Sequence, residues 1–253
     1  NVEKIMLDQS SPAGQLPQEL QLEAARNEYE GGQLIVRTTE AAPINVAVSV
    51  SPLAQQDGTT IDADHIQVFK QHYIEVTTVT SGAFPAGFYP DALIPITTAD
   101  SVEVRPDRNQ GFWFTVHVPK GQAAGIYSGF ITLEANGQTL DIPIRLEVWD
   151  FELSDNSHTQ TAFAIWNDQV AQYHGVAPNT PEYWELLDNY YWMQTEYRLP
   201  PDDLPIPTDD VDQYIAMAGH YLDDPRVNSF RIPYYPDDPD KTKELVDKLR
   251  DNG

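Results

Sequence analysis

The sequence contains no cysteine, and this absence removes several kinds of chemistry at once. Disulfides, thiolate metal sites and cysteine nucleophiles are all excluded. Basic residues are scarce as well: 15 Lys and Arg stand against 39 Asp and Glu, which gives a net charge of −24. Such a charge repels phosphate backbones and anionic membrane surfaces, so we expect no nucleic-acid partner. A neutral ligand such as a sugar is compatible with it.

Long apolar runs and familiar catalytic motifs are also missing. No apolar stretch is long enough to span a membrane, so we expect no membrane insertion. The sequence has no G-x-S-x-G, H-E-x-x-H, P-loop or G-x-G-x-x-G pattern, and its six histidines show no metal-ligand spacing. We therefore expect neither a metal nor a cofactor. The first residue is Asn1, which suggests processing or engineering, and the lack of cysteine suits an extracellular or cell-surface location.

The first 150 residues alternate apolar and polar side chains, as strands with one buried face do. Trp113, Thr115 and His117 fall on the outward face of one such run. A tight hairpin is predicted at Asn136-Gly137. Many such strands with almost no helical pattern predict an antiparallel β-sandwich over residues 1–150. The positions predicted to face inward are Ile44, Val46, Val48, Val50, Phe112, Phe114, Val116, Val118, Leu140, Ile142, Ile144, Leu146 and Val148.

After a polar connector, residues 151–160, strands and helices alternate three times. Strands are predicted at residues 161–166, 197–201 and 227–235, each with a helix after it. Thr180, before Pro181, and Asp238, before Pro239, are the predicted N-caps of the first and third helices. Such units specify a parallel sheet with right-handed crossovers. Three of them fit both a doubly wound sheet and an eight-fold barrel, although the Gly-rich first turn of many doubly wound sites is missing.

Five residues of this second half, 161–253, are candidates for substrate binding. Trp166 closes the first predicted strand, and Tyr234 and Tyr235 close the third. Side chains at the carboxyl ends of parallel strands line the ligand side of these folds, where flat rings suit stacking on a sugar. The alternative is that Trp166 and one tyrosine pack beneath the helices. Arg198 and Arg231 lie inside the second and third strands, where a buried guanidinium calls for a carboxylate partner, so both are candidate supporting residues.

Four Asp-Asp pairs raise the question of a metal site. All of them lie near prolines at predicted loops or helix ends, where Asp caps helices and stabilises turns without any ligand. We therefore interpret them as structural. The pairs are residues 202–203, 209–210, 223–224 and 237–238.

Several stretches resemble one group of bacterial proteins, the DUF4091-type proteins, which are similar to glycoside hydrolase family 123. The resemblance is most specific in AARNEYEGGQLIV, in GFYPDALIPI, which looks like the PDxLIP turn of that group, and in the closing hairpin, with its PxGxYxG core and its V-W-D-F exit. In the second half it is carried by YRLPPDDLP and FRIPYY. The resemblance implies the fold of a multi-domain glycosidase: an antiparallel β-sandwich, and then a (β/α)8 barrel of which this sequence holds the first three strand–helix units.

The resemblance also implies the catalytic residues and where they lie. In that family an adjacent Asp-Glu pair at the end of the fourth barrel strand performs substrate-assisted retaining hydrolysis of N-acetylhexosaminides: the Asp orients the 2-acetamido group, and the Glu is the general acid and base. No Asp-Glu dipeptide occurs in this sequence. We therefore expect that pair just after residue 253, no catalytic residue in this chain, and no hydrolysis by the chain alone.

These observations are compatible with two functions for the chain. In the first, the chain is the N-terminal part of a glycoside hydrolase that acts on glycans. In the second, it is a carbohydrate- or surface-binding sandwich without catalysis.

Because three units cannot close a barrel, we also expect the open edge to associate with the remainder of the protein's own chain or with a second copy.

Overall fold

The computed structural model of the chain describes residues 4–9, 19–79, 82 and 85–251. The chain divides into two compact units, Asn1–Leu153 and Ser154–Gly253. Among the described residues, no helix is long and apolar enough to cross a membrane.

The described residues of the first unit form two β-sheets. The larger sheet has the order β1-β11-β10-β3-β8, with the short strands β4 and β5 attached beside β10, and the smaller one has the order β2-β9-β6-β7. A 3₁₀ turn, Ala63–His65, precedes β6. The strands are β1 Leu20–Arg26, β2 Glu28–Val36, β3 Ile44–Val50, β4 Leu53–Ala54, β5 Thr60–Ile61, β6 Ile66–Val76, β7 Gly87–Ile96, β8 Ser101–Val104, β9 Gln110–Val118, β10 Gly125–Ala135 and β11 Gln138–Glu152.

The alternation of the sequence determines which side chains form the core. In β9 the four predicted inward residues are all fully buried, and Trp113, Thr115 and His117 point outward, as predicted. Four of the five predicted residues of β11 are buried as well. Leu140 is the exception, since it is 45% exposed near the hairpin end of the strand. Residues of both sheets share two apolar clusters, so the core lies between the sheets.

Two turns explain the connectivity. Asn136 and Gly137 both have positive φ angles, 51° and 74°, as a two-residue hairpin turn requires, which confirms the predicted turn between β10 and β11. Asn27, with φ 59°, takes the chain from β1 in one sheet to β2 in the other.

The sequence predicted purely antiparallel sheets, but one pair of strands is parallel. β1 pairs in parallel with β11, with Leu20 opposite Ile144. The long intervening chain supplies the crossover that parallel pairing needs. The stretch GFYPDALIPI, expected to form a turn, is the strand β7 along the edge of the smaller sheet.

The second unit is built from four helices, α1 Asn167–His174, α2 Pro181–Glu196, α3 Val211–Leu222 and α4 Pro239–Asp251. The predicted caps are confirmed: the Thr180 hydroxyl accepts the Tyr183 N–H at 3.2 Å, and the Asp238 carboxylate accepts the Lys241 N–H at 3.0 Å. Asp210 caps α3 in the same way. Helix α1 is additional to the three predicted helices.

The three strands predicted in the second unit are not formed. In the described segments 161–166, 197–201 and 227–235, the ladder is reduced to one parallel bridge between Phe163 and Pro201. Pro200, Pro201 and Pro233 have no N–H to donate to a ladder. Arg198 has a φ of 60°, in the left-handed region, which no strand accommodates. Phe163, within the first predicted strand, is 39% exposed.

Candidate functional site

Three extended segments lie side by side in the second unit. The Asp202 N–H donates to the Phe163 carbonyl at 2.9 Å, and the Arg231 N–H donates to the Asp202 carbonyl at 2.6 Å. These bonds join the three segments that the sequence predicts as strands in chain order, with Asp202, directly after the second segment, in the middle.

Two carboxylates and one guanidinium meet at this junction. Asp202 Oδ2 accepts from Arg231 Nη2 at 2.6 Å and from its Nε at 3.1 Å, and Asp203 Oδ2 lies 3.4 Å from Nη1. The Asp202 side chain is only 13% exposed, whereas the Arg231 side chain is 55% exposed. The guanidinium therefore neutralises a nearly buried carboxylate from the solvent side. We call Asp202, Asp203 and Arg231 the acidic junction.

Burial perturbs the titration of this region. The pKa of Asp203 is raised, first by burial and also by the neighbouring Asp202 carboxylate, and the Arg231 charge opposes the rise. The hydrogen bond to Asp202 raises the pKa of Arg231, so the guanidinium stays charged. Burial raises the pKa of Tyr214 and that of Tyr235 too. The junction thus places beside Asp202 and its guanidinium partner an Asp203 that takes up a proton more readily than an exposed aspartate.

The predicted site residues are placed differently from one another. Trp166 is 69% exposed and Tyr234 is 72% exposed; within the described part of the chain, neither ring stacks on another. Tyr235 is partly buried, donates its hydroxyl to the Thr208 carbonyl and lies beneath the Lys241 ammonium, 4.1 Å from its ring centre. Tyr235 is therefore a packing residue here, whereas the rings of Trp166 and Tyr234 remain available.

The two arginines have different partners. Arg231 has the carboxylate partners that we expected of an arginine at this place, although it is not buried. Arg198 instead donates from Nε to the Ser154 carbonyl at 2.9 Å. The structure thus brings Arg231 into the acidic junction and leaves Arg198 bound to the backbone at the start of the unit.

Sequence reasoning missed Asp202 and Asp203, because their pair was assigned to turns and caps together with the other three. The only signal was their position at the end of a predicted strand. Among the described residues, no group of three or more acidic or histidine side chains is arranged to hold a metal ion.

Comparison with known proteins identifies the first unit. Residues 7–135, just over half of the sequence, match the family model described as the glycoside hydrolase 123 N-terminal domain. The chain belongs to this family. No curated protein matches the sequence.

Comparison with solved structures shows that this member of the glycoside hydrolase 123 N-terminal domain family also resembles a family 123 enzyme in fold. A family 123 glycoside hydrolase from Clostridium perfringens, analysed for glycolipid glycan hydrolysis, has a TM-score of 0.60 at 17% identity over 72% of this chain. Since 72% exceeds the share that the family model matches, the shared fold reaches past residues 7–135. The chain spans 32% of the length of that enzyme. The CooA pilin subunit of enterotoxigenic Escherichia coli, at 15% identity over 57% of this chain and 97% of its own, has a TM-score of only 0.33.

Proposed function

We propose that the chain is the N-terminal part of a glycoside hydrolase that acts on glycans containing N-acetylhexosamine, by a substrate-assisted retaining mechanism. The observation that carries this proposal is the membership of residues 7–135 in the glycoside hydrolase 123 N-terminal domain family. The likeness in fold to a family 123 enzyme supports it. As a natural setting we propose the cell surface or the extracellular space, where glycans are accessible.

The second unit, in this proposal, is the first three strand–helix units of a (β/α)8 barrel. Three segments joined side by side in chain order, with helices between them, support this assignment. The apolar side chains exposed on these segments are the surface that the remainder of the enzyme, or a second copy, would cover. They are Phe163, Trp166, Leu199, Ile232 and Tyr234.

The acidic junction and the two exposed rings then have separate roles. Trp166 and Tyr234 stack on the apolar faces of sugar rings. Arg231 holds Asp202 and Asp203 in place through their carboxylates. The Asp-Glu pair that would orient the acetamido group and protonate the leaving group lies outside this sequence, which contains no such dipeptide.

An activity assay on two proteins tests the proposal: residues 1–253 alone and the longer protein that carries them. Aryl N-acetylhexosaminides are expected to be hydrolysed by the longer protein and left intact by residues 1–253. In the longer protein, Trp166→Ala is expected to raise KM roughly three- to tenfold, the equivalent of one lost aromatic contact. Trp149→Ala, which removes an exposed indole from the first unit, is the matched control and is expected to leave KM unchanged.

Two results would contradict the proposal. Turnover by residues 1–253 would mean that the acid lies within this chain. If the longer protein binds the sugars but does not hydrolyse them, the result would favour the alternative function, that of a carbohydrate-binding module without catalysis.

A further inference from the structure

The outer surface of the smaller sheet carries a row of aromatic and amide side chains. In β9, Trp113 points away from the core, and it lies opposite Gln33 of β2 and Phe69 of β6. The next outward position along β6 is Gln71, which lies opposite Leu93 of β7. These residues share one face because each strand alternates and the registers align them.

Two glycines allow side chains to lie flat on this face. A Cβ at Gly31 would come within 2.6 Å of the Trp113 ring, so the indole covers Gly31. A Cβ at Gly111 would come within 1.7 Å of Gln71 Oε1, so the Gln71 amide covers Gly111. Because Gly31 and Gly111 have no side chains, the Trp113 indole and the Gln71 amide can lie flat on the sheet and form a floor.

A hollow of about 280 Å³ opens beside this floor. Its apolar lining is Trp113, Leu93 and Pro90, and its polar lining is Gln33, Gln71, Asp91 and Lys4. The volume is close to the lower end of the range for small-ligand sites. The lining therefore combines one indole with two amides, a carboxylate and an ammonium.

Gln71 is a buried polar side chain on this face. It is 4% exposed, and its Nε2 donates to Gln33 Oε1 at 3.2 Å. Its own Oε1 is buried, with no hydrogen-bond partner in the described structure. A buried acceptor without a donor is unfavourable. A leucine would cover Gly111 without that cost, so packing over Gly111 does not by itself require an amide at this position.

We propose that this hollow binds a neutral sugar ring, as a glycan site separate from the acidic junction. An indole beside apolar side chains suits the C–H face of a sugar, and paired amides supply donors and acceptors to its hydroxyls. An anionic sugar is disfavoured because residues 1–150 hold 8 basic and 19 acidic side chains.

This inference rests on the proposed function only for the choice of sugars to be tested. It assigns to the sandwich a means of holding a glycan that is independent of hydrolysis.

Indole N–H signals in a ¹⁵N-correlated NMR spectrum of residues 1–253 test the site directly. The chain has five tryptophans, so the four other signals are internal controls. The probes are galactose, lactose, N-acetylglucosamine and N-acetylgalactosamine, with N-acetylneuraminic acid as an anionic counter-probe. The Trp113 signal, assigned by its loss in Trp113→Phe, is expected to shift saturably with at least one neutral sugar and not with the anionic one.

Two variants make the test specific. Gln71→Leu retains a side chain of similar size over Gly111, and it is expected to weaken binding at least fivefold with little change in Tm. Trp149→Phe, at an exposed indole of β11, is the matched control and is expected to leave the affinity within twofold of the original.

Three outcomes would overturn the inference. The first is a Trp113 signal that no neutral sugar moves. The second is a Gln71→Leu protein that remains folded and binds as the original does. The third is a shift confined to Trp166, which would leave the proposed function standing and this site refuted.

Discussion

Asp224 shows how one local arrangement determines the protonation of a side chain. Its Oδ1 accepts from both the backbone N–H and the Nε of Arg226, each at 2.9 Å, and its Oδ2 accepts from Nη2 at 2.7 Å. These bonds lower the pKa of Asp224, since they favour its charged form. The guanidinium in turn lies over the Trp192 ring, 5.6 Å from its centre. Charge and packing are therefore coupled at this residue.

The lowered pKa of Asp224 means that its contribution to stability decreases as the pH falls. Because its pKa in the folded state is lowered, Asp224 stabilises the protein fully above the ordinary aspartate pKa of roughly 3.9, and this contribution is lost as pH falls through the folded-state value. Asp224→Asn is expected to lower the free energy of unfolding at pH 7 by up to about 1 kcal/mol, since the pair is partly exposed to solvent. Urea unfolding at pH 7 and near pH 2 measures this: the difference from the original protein should disappear at the lower pH.

Asp223→Asn provides the control for that experiment. It makes the same charge change one residue away, at an exposed position. An equal loss of stability in Asp223→Asn would mean that the general charge of the region, and not the bonds to Arg226, is responsible.

At the scale of elements, helix starts in the second unit depend on single side chains. Thr180 accepts the Tyr183 N–H and precedes Pro181, which holds the backbone in helical geometry at the first position of α2. Asp210 does the same for α3 through the Gln213 N–H, at 2.9 Å. Each cap satisfies a donor that the helix itself leaves unpaired.

Removing one cap gives a measurable prediction. Thr180→Ala is expected to destabilise the second unit by about 1 kcal/mol, and Thr180→Ser, which retains the hydroxyl, by much less. Urea unfolding followed by circular dichroism at 222 nm suits this measurement, because the α-helices of the described chain all lie in the second unit. Equal stability of the Ala and Ser variants would show that the cap contributes nothing.

Elements whose signals are local could be predicted from the sequence, and elements that depend on distant partners could not. The alternation around Phe112 and the caps of α2 and α4 are local, and both were predicted correctly. Helix α1 was missed because its N-cap position holds Trp166, which makes no side-chain cap bond. The strand expected at Arg198 failed because neighbouring prolines and a left-handed φ angle overrode the apolar pattern.

The residues of the two candidate sites also differ in whether local sequence could predict them. The outward direction of Trp113 followed from alternation alone. Its neighbours Gln33 and Gln71 depend on the registers of three strands, which no short stretch of sequence specifies. The acidic junction joins Asp202 to Arg231 across 29 positions. That contact depends on how the intervening helix and loops fold back.

At the scale of the whole molecule, exposed apolar side chains oppose a large net charge. The extended segments of the second unit expose Phe163, Leu199 and Ile232, which favours association. The net charge of −24 opposes it. Salt screens the second effect far more than the first, since exposed charges farther apart than about 8 Å interact weakly at physiological ionic strength.

Sedimentation velocity of residues 1–253 is therefore expected to show self-association that strengthens from 20 to 300 mM NaCl. Replacing Leu199 and Ile232 together by Ser should reduce it, whereas Ile126→Ser, at an exposed position of β10, should not. A monomer at every salt and protein concentration would contradict the proposal that these segments form an incomplete barrel edge.

The parallel pairing of β1 with β11 determines when the first unit can be completed during synthesis. Leu20 has its partner at Ile144, so β1 leaves the ribosome long before the strand that it pairs with has been made. At about 5–20 residues per second, the delay is roughly 6–25 s. Throughout that time, the backbone N–H and C=O groups of β1 have no paired strand beside them. Its neighbour in the chain, β2, needs only β9, so the smaller sheet has all its strands while the larger one is still waiting for its last.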